Sequence, residues 1–226
     1  NCLVGSEMCI RDRVGDKEYQ SKTAILSTGA SANLLGLENE SRLMGKGVST
    51  CATCDGFFFK DQKIAVVGGG DSAMEEANFL TKFASKVYLI HRREEFRASK
   101  IMVERARANE KIEFVTNTVV EDVLGDDAVT GINVKNTKTD ESQKIDLEGF
   151  FVAIGHTPNT KLFQGQIEMF ENGYLKTNCH AEAKSSTNQA GVFACGDVQD
   201  QRYRQAITAA GSGCMAALDV EHFLNS

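Results

Sequence analysis

The sequence lacks several features that would each place the protein in a different class. No apolar run among its 226 residues approaches the roughly 18 residues of a membrane span, and its start does not have the pattern of a secretory signal peptide. Basic residues are not in excess: the net charge of -6 argues against a nucleic-acid binder. Seven cysteines, an odd number, do not fit a secreted disulfide framework. We therefore expect a soluble globular protein of one or two domains, located in the cytoplasm.

Two cysteines, Cys51 and Cys54, form a Cys-x-x-Cys motif, and Asp55 directly follows the second. A pair with this spacing can close a small disulfide loop and store two electrons. A zinc site would need two further ligands, and Cys179-His180 is the only other adjacent candidate pair. We therefore expect a redox-active dithiol and no bound metal. We interpret Asp55 as a proton donor and acceptor for the departing thiolate, rather than as a turn residue or helix cap.

A glycine-rich turn over 68–73 separates a predicted strand over 63–67 from a predicted helix over 72–83, and a second strand is predicted over 86–90. This order is a βαβ unit, which typically binds a dinucleotide. The first glycine allows a tight turn, the third lets a pyrophosphate approach the backbone, and the helix start offers free N–H groups. The predicted cofactor-binding residues here are Gly68, Gly70, Asp71, Ser72 and Ala73.

The residues after the second strand indicate which nicotinamide cofactor is used. An NAD site usually has a carboxylate at this position for the ribose hydroxyls, whereas this sequence has His91, Arg92 and Arg93, with Arg97 close behind. A carboxylate would repel a 2′-phosphate, and arginine can bind it through two hydrogen bonds. The sequence therefore predicts NADPH. The alternative is that these arginines form a solvated helix face.

The rest of the chain predicts an α/β fold with two domains. Residues 37–155 form a Rossmann-like domain with a parallel sheet, and alternating apolar residues over 118–147 add an antiparallel β-meander. Residues 31–50 read as a loop. The flanks 14–36 and 156–226 are each too small to bury a core, so we expect them to share a second, discontinuous domain.

Two further expectations concern helix faces and the chain start. A helix over 98–109 is expected to turn Ile101, Met102 and Val103 inward. Residues 1–13 have neither helical nor strand periodicity and are similar to translated sequencing-adapter strings, so we expect a non-native or irregular terminus.

Five stretches closely resemble the low-molecular-weight thioredoxin reductases, in the same order along the chain. They are CATCDGFF, GGGDSA, HRREEFRASK, FVAIGHTPNT and GVFACGDVQDQRYRQAITAAGSGCMAAL. The resemblance runs from about Val14 to the C-terminus. It implies an NADPH-dependent thioredoxin-disulfide reductase, a flavoprotein that passes electrons from NADPH through FAD to the Cys51–Cys54 disulfide and on to thioredoxin.

The resemblance also implies roles for particular residues. Cys54 would lie next to the flavin, Cys51 would attack the substrate, and Asp55 would act as the acid and base. FAD would be bound by three stretches of this sequence: Thr28-Gly29-Ala30, Gly196-Asp197 and Arg204-Gln205-Ala206. Members of the family are usually homodimers, so we expect a homodimer for the full-length protein.

One departure from the family concerns the first FAD-binding segment. The family begins with a βαβ unit whose glycine turn binds FAD, and this sequence has no second Gly-x-Gly-x-x-Gly. We therefore expect an N-terminally truncated chain with an incomplete FAD-binding domain, which alone binds FAD poorly and is inactive. The alternatives are a peroxiredoxin-reducing flavoprotein of the same superfamily, whose usual Cys-Pro-His-Cys motif is absent here, and a non-catalytic NADPH-binding fragment.

Two phenylalanines, Phe57 and Phe58, follow the dithiol. We expect them to pack in the core. The alternative is that they form an apolar contact surface for thioredoxin beside the reactive cysteines.

Overall fold

The structure is a computed structural model that describes residues 10–180 and 183–225. The strands in chain order are β1 Ile10–Val14, β2 Lys17–Ser21, β3 Ala24–Leu26, β4 Ala30–Ala32, β5 Val48–Ser49, β6 Lys63–Val67, β7 Lys86–Ile90, β8 Ile112–Val115, β9 Thr118–Leu124, β10 Gly131–Asn136, β11 Ser142–Asp146, β12 Gly149–Val152, β13 His156–Pro158 and β14 Val192–Ala194. The α-helices are α1 Glu38–Arg42, α2 Ala52–Asp55, α3 Asp71–Leu80, α4 Lys100–Arg107 and α5 Ala206–Asn225, and short 3-10 helices cover Gly56–Phe59, Lys161–Phe163 and Gly196–Val198.

The chain divides into two compact units. The central unit covers Ala32–Gly155, and the flanking unit combines the chain up to Ser31 with the chain from His156 onward. The first division lies five residues before the boundary expected after residue 36.

A five-stranded parallel sheet, in the order β5-β12-β6-β7-β8, forms the centre of the central unit. Side chains alternate between its two faces. Ile64 and Val66 of β6 pack into one apolar cluster with α3, whereas Ala65 and Val67 pack into a second cluster with residues of the meander. Because both faces are covered, the strand is an almost continuous apolar run, as the sequence indicated. The predicted strands over 63–67 and 86–90 are confirmed.

The predicted meander is also present. Strands β9, β10 and β11 pair antiparallel and form a three-stranded sheet of their own, separate from the parallel sheet.

The face that helix α4 was expected to turn inward is wrong at one residue, because Ile101 is 73% exposed. Met102 and Val103 are the residues that pack against the core, together with the fully buried Ala106.

The reading of 31–50 as a loop is wrong, because the segment contains β4, α1 and β5. The short helix α1 forms around Glu40, whose side chain is completely buried. Its carboxylate accepts hydrogen bonds from the backbone N–H groups of Leu35, Gly36 and Leu37 at 2.9, 2.9 and 3.2 Å. These bonds satisfy a buried charge and fix the chain that leads into the central unit.

The flanking unit contains a β1–β2 hairpin and the parallel pair β3–β14. Residues 1–9 of the expected irregular terminus lie outside the described residues, but Ile10–Val14 form a strand, so that expectation is wrong for 10–13. In the part of the chain that the structure describes, no helix has the length and hydropathy needed to cross a bilayer.

Candidate active site

A disulfide joins Cys51 and Cys54 at the start of the short helix α2. Cys51 is the residue that caps this helix: its Sγ accepts a hydrogen bond from the backbone N–H of Cys54 at 3.2 Å. The hydroxyl of Thr53 lies 3.4 Å from the same sulfur, and the Cys51 N–H donates to the hydroxyl of Ser49. Cys54 is exposed and Cys51 is half-buried.

Asp55 is the last residue of α2, directly after the disulfide. It is half-buried, and its backbone N–H donates to the carbonyl oxygen of Cys51 at 3.1 Å. The carboxyl group is therefore attached to the same helical turn as both sulfurs.

Phe57 and Phe58 are not core residues, contrary to the sequence-based expectation. Their side chains are 68% and 73% exposed. Phe57 makes edge contacts with the rings of Phe58 and Phe83, at centroid distances of 6.4 and 6.1 Å. The 3-10 helix Gly56–Phe59 thus places two exposed aromatic rings next in the chain to the disulfide.

A cavity of about 710 Å³ lies at the carboxyl ends of β6, β7 and β12 in the central unit. Parallel sheets usually bind their ligands at this end of the strands. The lining includes most of the residues predicted from the glycine turn and the arginine motif: Gly68, Gly70, Ser72, His91, Arg92, Arg93 and Arg97. Neither sulfur of the disulfide lines it.

The glycines of the turn are required by close packing. A Cβ on Gly68 would collide with the carbonyl of Ala153 and lie 2.7 Å from the Cβ of Ala73, so Ala73 serves packing and is fully buried. A Cβ on Gly69 would collide with the His91 ring. Around Gly70, by contrast, no heavy atom of the described chain lies within 4 Å of such a Cβ. The backbone at Gly70 is therefore open to a ligand.

The side chains of His91 and Asp71 hold neighbouring segments of the chain together around the cavity. The His91 ring is stacked on Phe96 at 4.9 Å, and its Nε2 lies 3.1 Å from the carbonyl oxygen of Glu95. Burial lowers the pKa of His91, and the neighbouring arginines lower it further, so the ring is neutral at neutral pH. Asp71 accepts hydrogen bonds from the N–H and hydroxyl of Ser99 at 2.7 and 3.0 Å, which connects the start of α3 to the start of α4.

The exposed side chains of Arg92, Arg93 and Arg97 provide the positive charge of the cavity. The N–H of Arg97 donates to the carbonyl oxygen of Gly69 at 2.8 Å, so the arginine segment is fixed directly to the glycine turn. Exposed guanidinium groups around an open glycine backbone suit a phosphorylated ligand.

Two of the predicted FAD stretches meet at one edge of the flanking unit. Strands β3 and β14 are parallel, so the residues that follow them, Thr28-Gly29-Ala30 and Gly196-Asp197, leave the same edge of the pair. Asn159, which the sequence reading missed, holds the first stretch. Its side chain donates to the carbonyl oxygen of Thr28 at 2.9 Å, and its N–H donates to that of Gly29 at 2.9 Å.

One carboxylate oxygen of Asp197 lacks a hydrogen-bond donor among the described residues. Its Oδ1 is buried and has no hydrogen-bond partner among residues 10–180 and 183–225. Charge interactions connect this residue with His156 and Arg204: burial lowers the pKa of His156, Arg204 lowers it further, and Asp197 opposes the shift. A buried carboxylate oxygen is costly unless a donor reaches it, so this position fits a ligand that carries a hydrogen-bond donor.

A glycine-rich turn in a parallel α/β sheet and a disulfide on the same unit are typical of pyridine nucleotide-dependent disulfide oxidoreductases. The Pyridine nucleotide-disulphide oxidoreductase family matches residues 4–213, so the similarity extends into the segment that we expected to be non-native. The chain is 58% identical over 211 residues to a thioredoxin reductase of Mycolicibacterium smegmatis, covering 93% of this chain and 67% of that protein. A thioredoxin reductase of Vibrio cholerae is 51% identical, with 93% and 67% covered.

Solved structures agree with these similarities. The thioredoxin reductase of Streptococcus pyogenes superposes with a TM-score of 0.91 at 38% identity, covering 98% of this chain and 72% of that one. That of Giardia duodenalis gives 0.89 at 38% identity, with 99% and 72% covered. The chain belongs to the thioredoxin reductases within the pyridine nucleotide-disulphide oxidoreductase family and spans about two thirds of the length of these curated relatives. This family uses a flavin and a pyridine nucleotide.

Proposed function

We propose that the protein is a thioredoxin-disulfide reductase that passes electrons from NADPH through FAD to the Cys51–Cys54 disulfide and on to thioredoxin. The observation that carries this proposal is the occurrence, in one unit, of a Cys-x-x-Cys disulfide and a glycine-turn cavity rimmed by arginines. The central unit would bind NADPH and carry the disulfide, and the flanking unit would bind FAD.

The residues of this chain would divide the chemistry as follows. FAD, when bound, would take a hydride from NADPH and supply two electrons to the disulfide. With two protons, these electrons open the sulfur–sulfur bond and give two thiols. The thiolate of Cys51 then attacks the substrate disulfide and releases one substrate thiol, leaving a mixed disulfide. Cys54 attacks Cys51, releases the second substrate thiol and restores the original bond, while Asp55 takes up and returns the proton.

In the nicotinamide site, the open backbone at Gly70 and the N-terminus of α3 would receive the pyrophosphate. Arg92 and Arg93 would hold the 2′-phosphate, with Arg97 beside them. In the flavin site, Asp197 would accept hydrogen bonds from FAD hydroxyls, and this role is supported by its unpartnered buried oxygen. The Thr28–Ala30 and Arg204–Ala206 stretches would complete the contacts.

The peroxiredoxin-reducing alternative is not favoured, because the relatives at 50–58% identity are thioredoxin reductases. A non-catalytic NADPH-binding protein is not favoured either, since the disulfide is formed and partly accessible. A homodimer and a cytoplasmic location remain proposals, to be tested by sedimentation and by cell fractionation.

The activity is tested directly with a purified protein in which this chain is completed to the length of its relatives, with added FAD, NADPH and oxidised thioredoxin. We expect NADPH to be consumed with the appearance of two thioredoxin thiols for each NADPH, because one hydride carries the two electrons that open one disulfide. Consumption of NADPH without thiol formation would contradict the proposal.

The exposed aromatic pair beside the disulfide is expected to contact thioredoxin. Replacing Phe58 with alanine should raise the KM for thioredoxin about 30-fold, because burying a phenylalanine at an interface is worth roughly 2 kcal/mol. The KM for NADPH should not change. Ile101→Ala is a matched control, since Ile101 is also 73% exposed but lies on α4. An equal rise of the thioredoxin KM in the control would refute the contact.

A further inference from the structure

The carboxylate of Asp200 accepts four hydrogen bonds from the loop that follows it. Its Oδ1 receives the backbone N–H groups of Arg202 and Tyr203 at 2.9 and 2.8 Å. Its Oδ2 receives the N–H of Arg204 at 2.8 Å and the hydroxyl of Thr208 at 3.2 Å. One residue thus fixes three consecutive N–H groups and a side chain in the first turn of α5.

Asp200 also contacts Gly196, which belongs to the predicted FAD-binding stretch Gly196-Asp197. Its own N–H donates to the carbonyl oxygen of Gly196 at 3.3 Å. The hydroxyl of Thr208, which donates to Asp200, accepts the N–H of Gln205 at 3.3 Å. One residue therefore connects Gly196, which precedes the unpartnered carboxylate of Asp197, with Arg204 and Gln205 at the start of α5.

The loop requires this support because of its backbone. Arg204 has a φ of 47°, in the left-handed region that side chains other than glycine rarely adopt. Such a conformation is strained for a residue with a side chain and persists only where surrounding contacts impose it. The bond from the Arg204 N–H to Asp200 is one such contact.

The electrostatics agree with a permanently ionised acceptor. Burial alone would raise the pKa of Asp200, but the hydrogen bonds from Tyr203, Arg202, Arg204 and Thr208 outweigh burial, so the pKa is lowered. The negative charge also lies beside the N-terminus of α5, where the helix dipole favours it.

We propose that Asp200 is a positioning residue, whose carboxylate holds residues 202–205 in the conformation that presents Arg204 and Gln205 to the flavin. The first part of this statement concerns the loop alone, and the second rests on the function proposed above. Asp200 itself is not assigned a contact with the cofactor. The prediction is therefore that its loss disturbs the loop even in the absence of any cofactor.

The test uses Asp200→Ala and Asp200→Asn, in the 226-residue chain for hydrogen exchange and in the protein completed to the length of its relatives for FAD binding. In the absence of FAD, hydrogen exchange of the Arg202, Tyr203 and Arg204 amides should accelerate about tenfold or more in the alanine variant, because each loses a charged acceptor. The asparagine variant, which keeps one acceptor oxygen and the shape, should give a smaller acceleration. Titration with FAD, followed by flavin fluorescence, should give a Kd about tenfold higher in the alanine variant.

Asp219→Asn is the matched control, because Asp219 is a hydrogen-bonded carboxylate in the same unit that accepts from the N–H and hydroxyl of Ser185. It should change neither the exchange at 202–204 nor FAD binding. Unchanged exchange in Asp200→Ala would overturn the positioning role. If Asp219→Asn weakened FAD binding as much as Asp200→Ala, the effect of Asp200 on FAD binding would not be specific, and the proposal would be refuted. If Asp200→Ala does not fold, the isosteric asparagine variant decides by the same exchange measurement.

Failure of the proposed function gives a different result. If the unsubstituted protein, completed to the length of its relatives, does not bind FAD, the flavin part of the proposal is wrong, while the exchange data still decide what the carboxylate does to the loop. NADPH binding, measured in all variants, should be unaffected, because the predicted nicotinamide cavity belongs to the central unit.

Discussion

Replacing Cys54 with serine is expected to lower the rate of NADPH-dependent thioredoxin reduction by at least about 1000-fold, and Cys51→Ser should do the same. Opening a substrate disulfide needs two electrons, and a single remaining thiol can go no further than a mixed disulfide. A loss of this size corresponds to roughly 4 kcal/mol of activation free energy. The measurement is the steady-state release of thioredoxin thiols.

Two controls separate this effect from general damage. Cys214→Ser removes an exposed free cysteine on α5 and should leave turnover unchanged. The NADPH-dependent bleaching of added FAD should persist in the Cys51 and Cys54 variants, because that half-reaction does not use the disulfide. Turnover above about a tenth of the original rate in either variant would show that the disulfide is not the electron carrier.

Substituting Arg92 and Arg93 together with glutamine is expected to raise the Kd for NADPH about 30- to 100-fold. Each charge-assisted hydrogen bond to a phosphate is worth roughly 1–2 kcal/mol at an exposed position, and a factor of ten corresponds to about 1.4 kcal/mol. Binding of NADH, which lacks the 2′-phosphate, should weaken no more than about threefold, through the general loss of positive charge. Fluorescence titration with each nucleotide measures both constants.

Substitution of Arg105 and Arg107 with glutamine is the control for net charge. Both arginines are in the last turn of α4, outside the cavity lining, and the same two positive charges are lost. NADPH and NADH should then weaken equally and slightly. Equal losses for the two nucleotides in the Arg92 and Arg93 variant would refute the NADPH assignment and leave the arginines as a solvated surface.

The sequence reading was most accurate where local pattern decides structure. The predicted strands over 63–67 and 86–90 are present, because runs of apolar and β-branched residues are stable only in a covered parallel sheet. The glycine turn was readable because close packing excludes a side chain at Gly68 and Gly69. The partners at these glycines, Ala153 and His91, are distant in sequence, but the glycines themselves reveal that no side chain fits there.

The same reading failed where the burial of a side chain or of a helix face decides the structure. The helix α1 was taken for loop, because its stability depends on the buried carboxylate of Glu40 and the N–H groups that it accepts. Ile101 was expected inside, but α4 packs through Met102, Val103 and Ala106. Phe57 and Phe58 were expected in the core, and their exposure follows from the 3-10 helix that turns them outward. Neither helical spacing nor hydrophobicity determines which face of a helix packs against the core and which is exposed.

The sequence by itself determined the chemistry of this protein: a dithiol with an adjacent carboxylate, a phosphate-binding turn, and arginines in place of an acidic residue. Residue type and short spacing set these properties. Only the tertiary structure decided the strand order that inserts β12 beside β6 and so brings Gly155 to the cavity. It also decided the burial of Asp197 and the four bonds of Asp200. These depend on how separate segments pack, because burial and hydrogen bonding are set by neighbours in space.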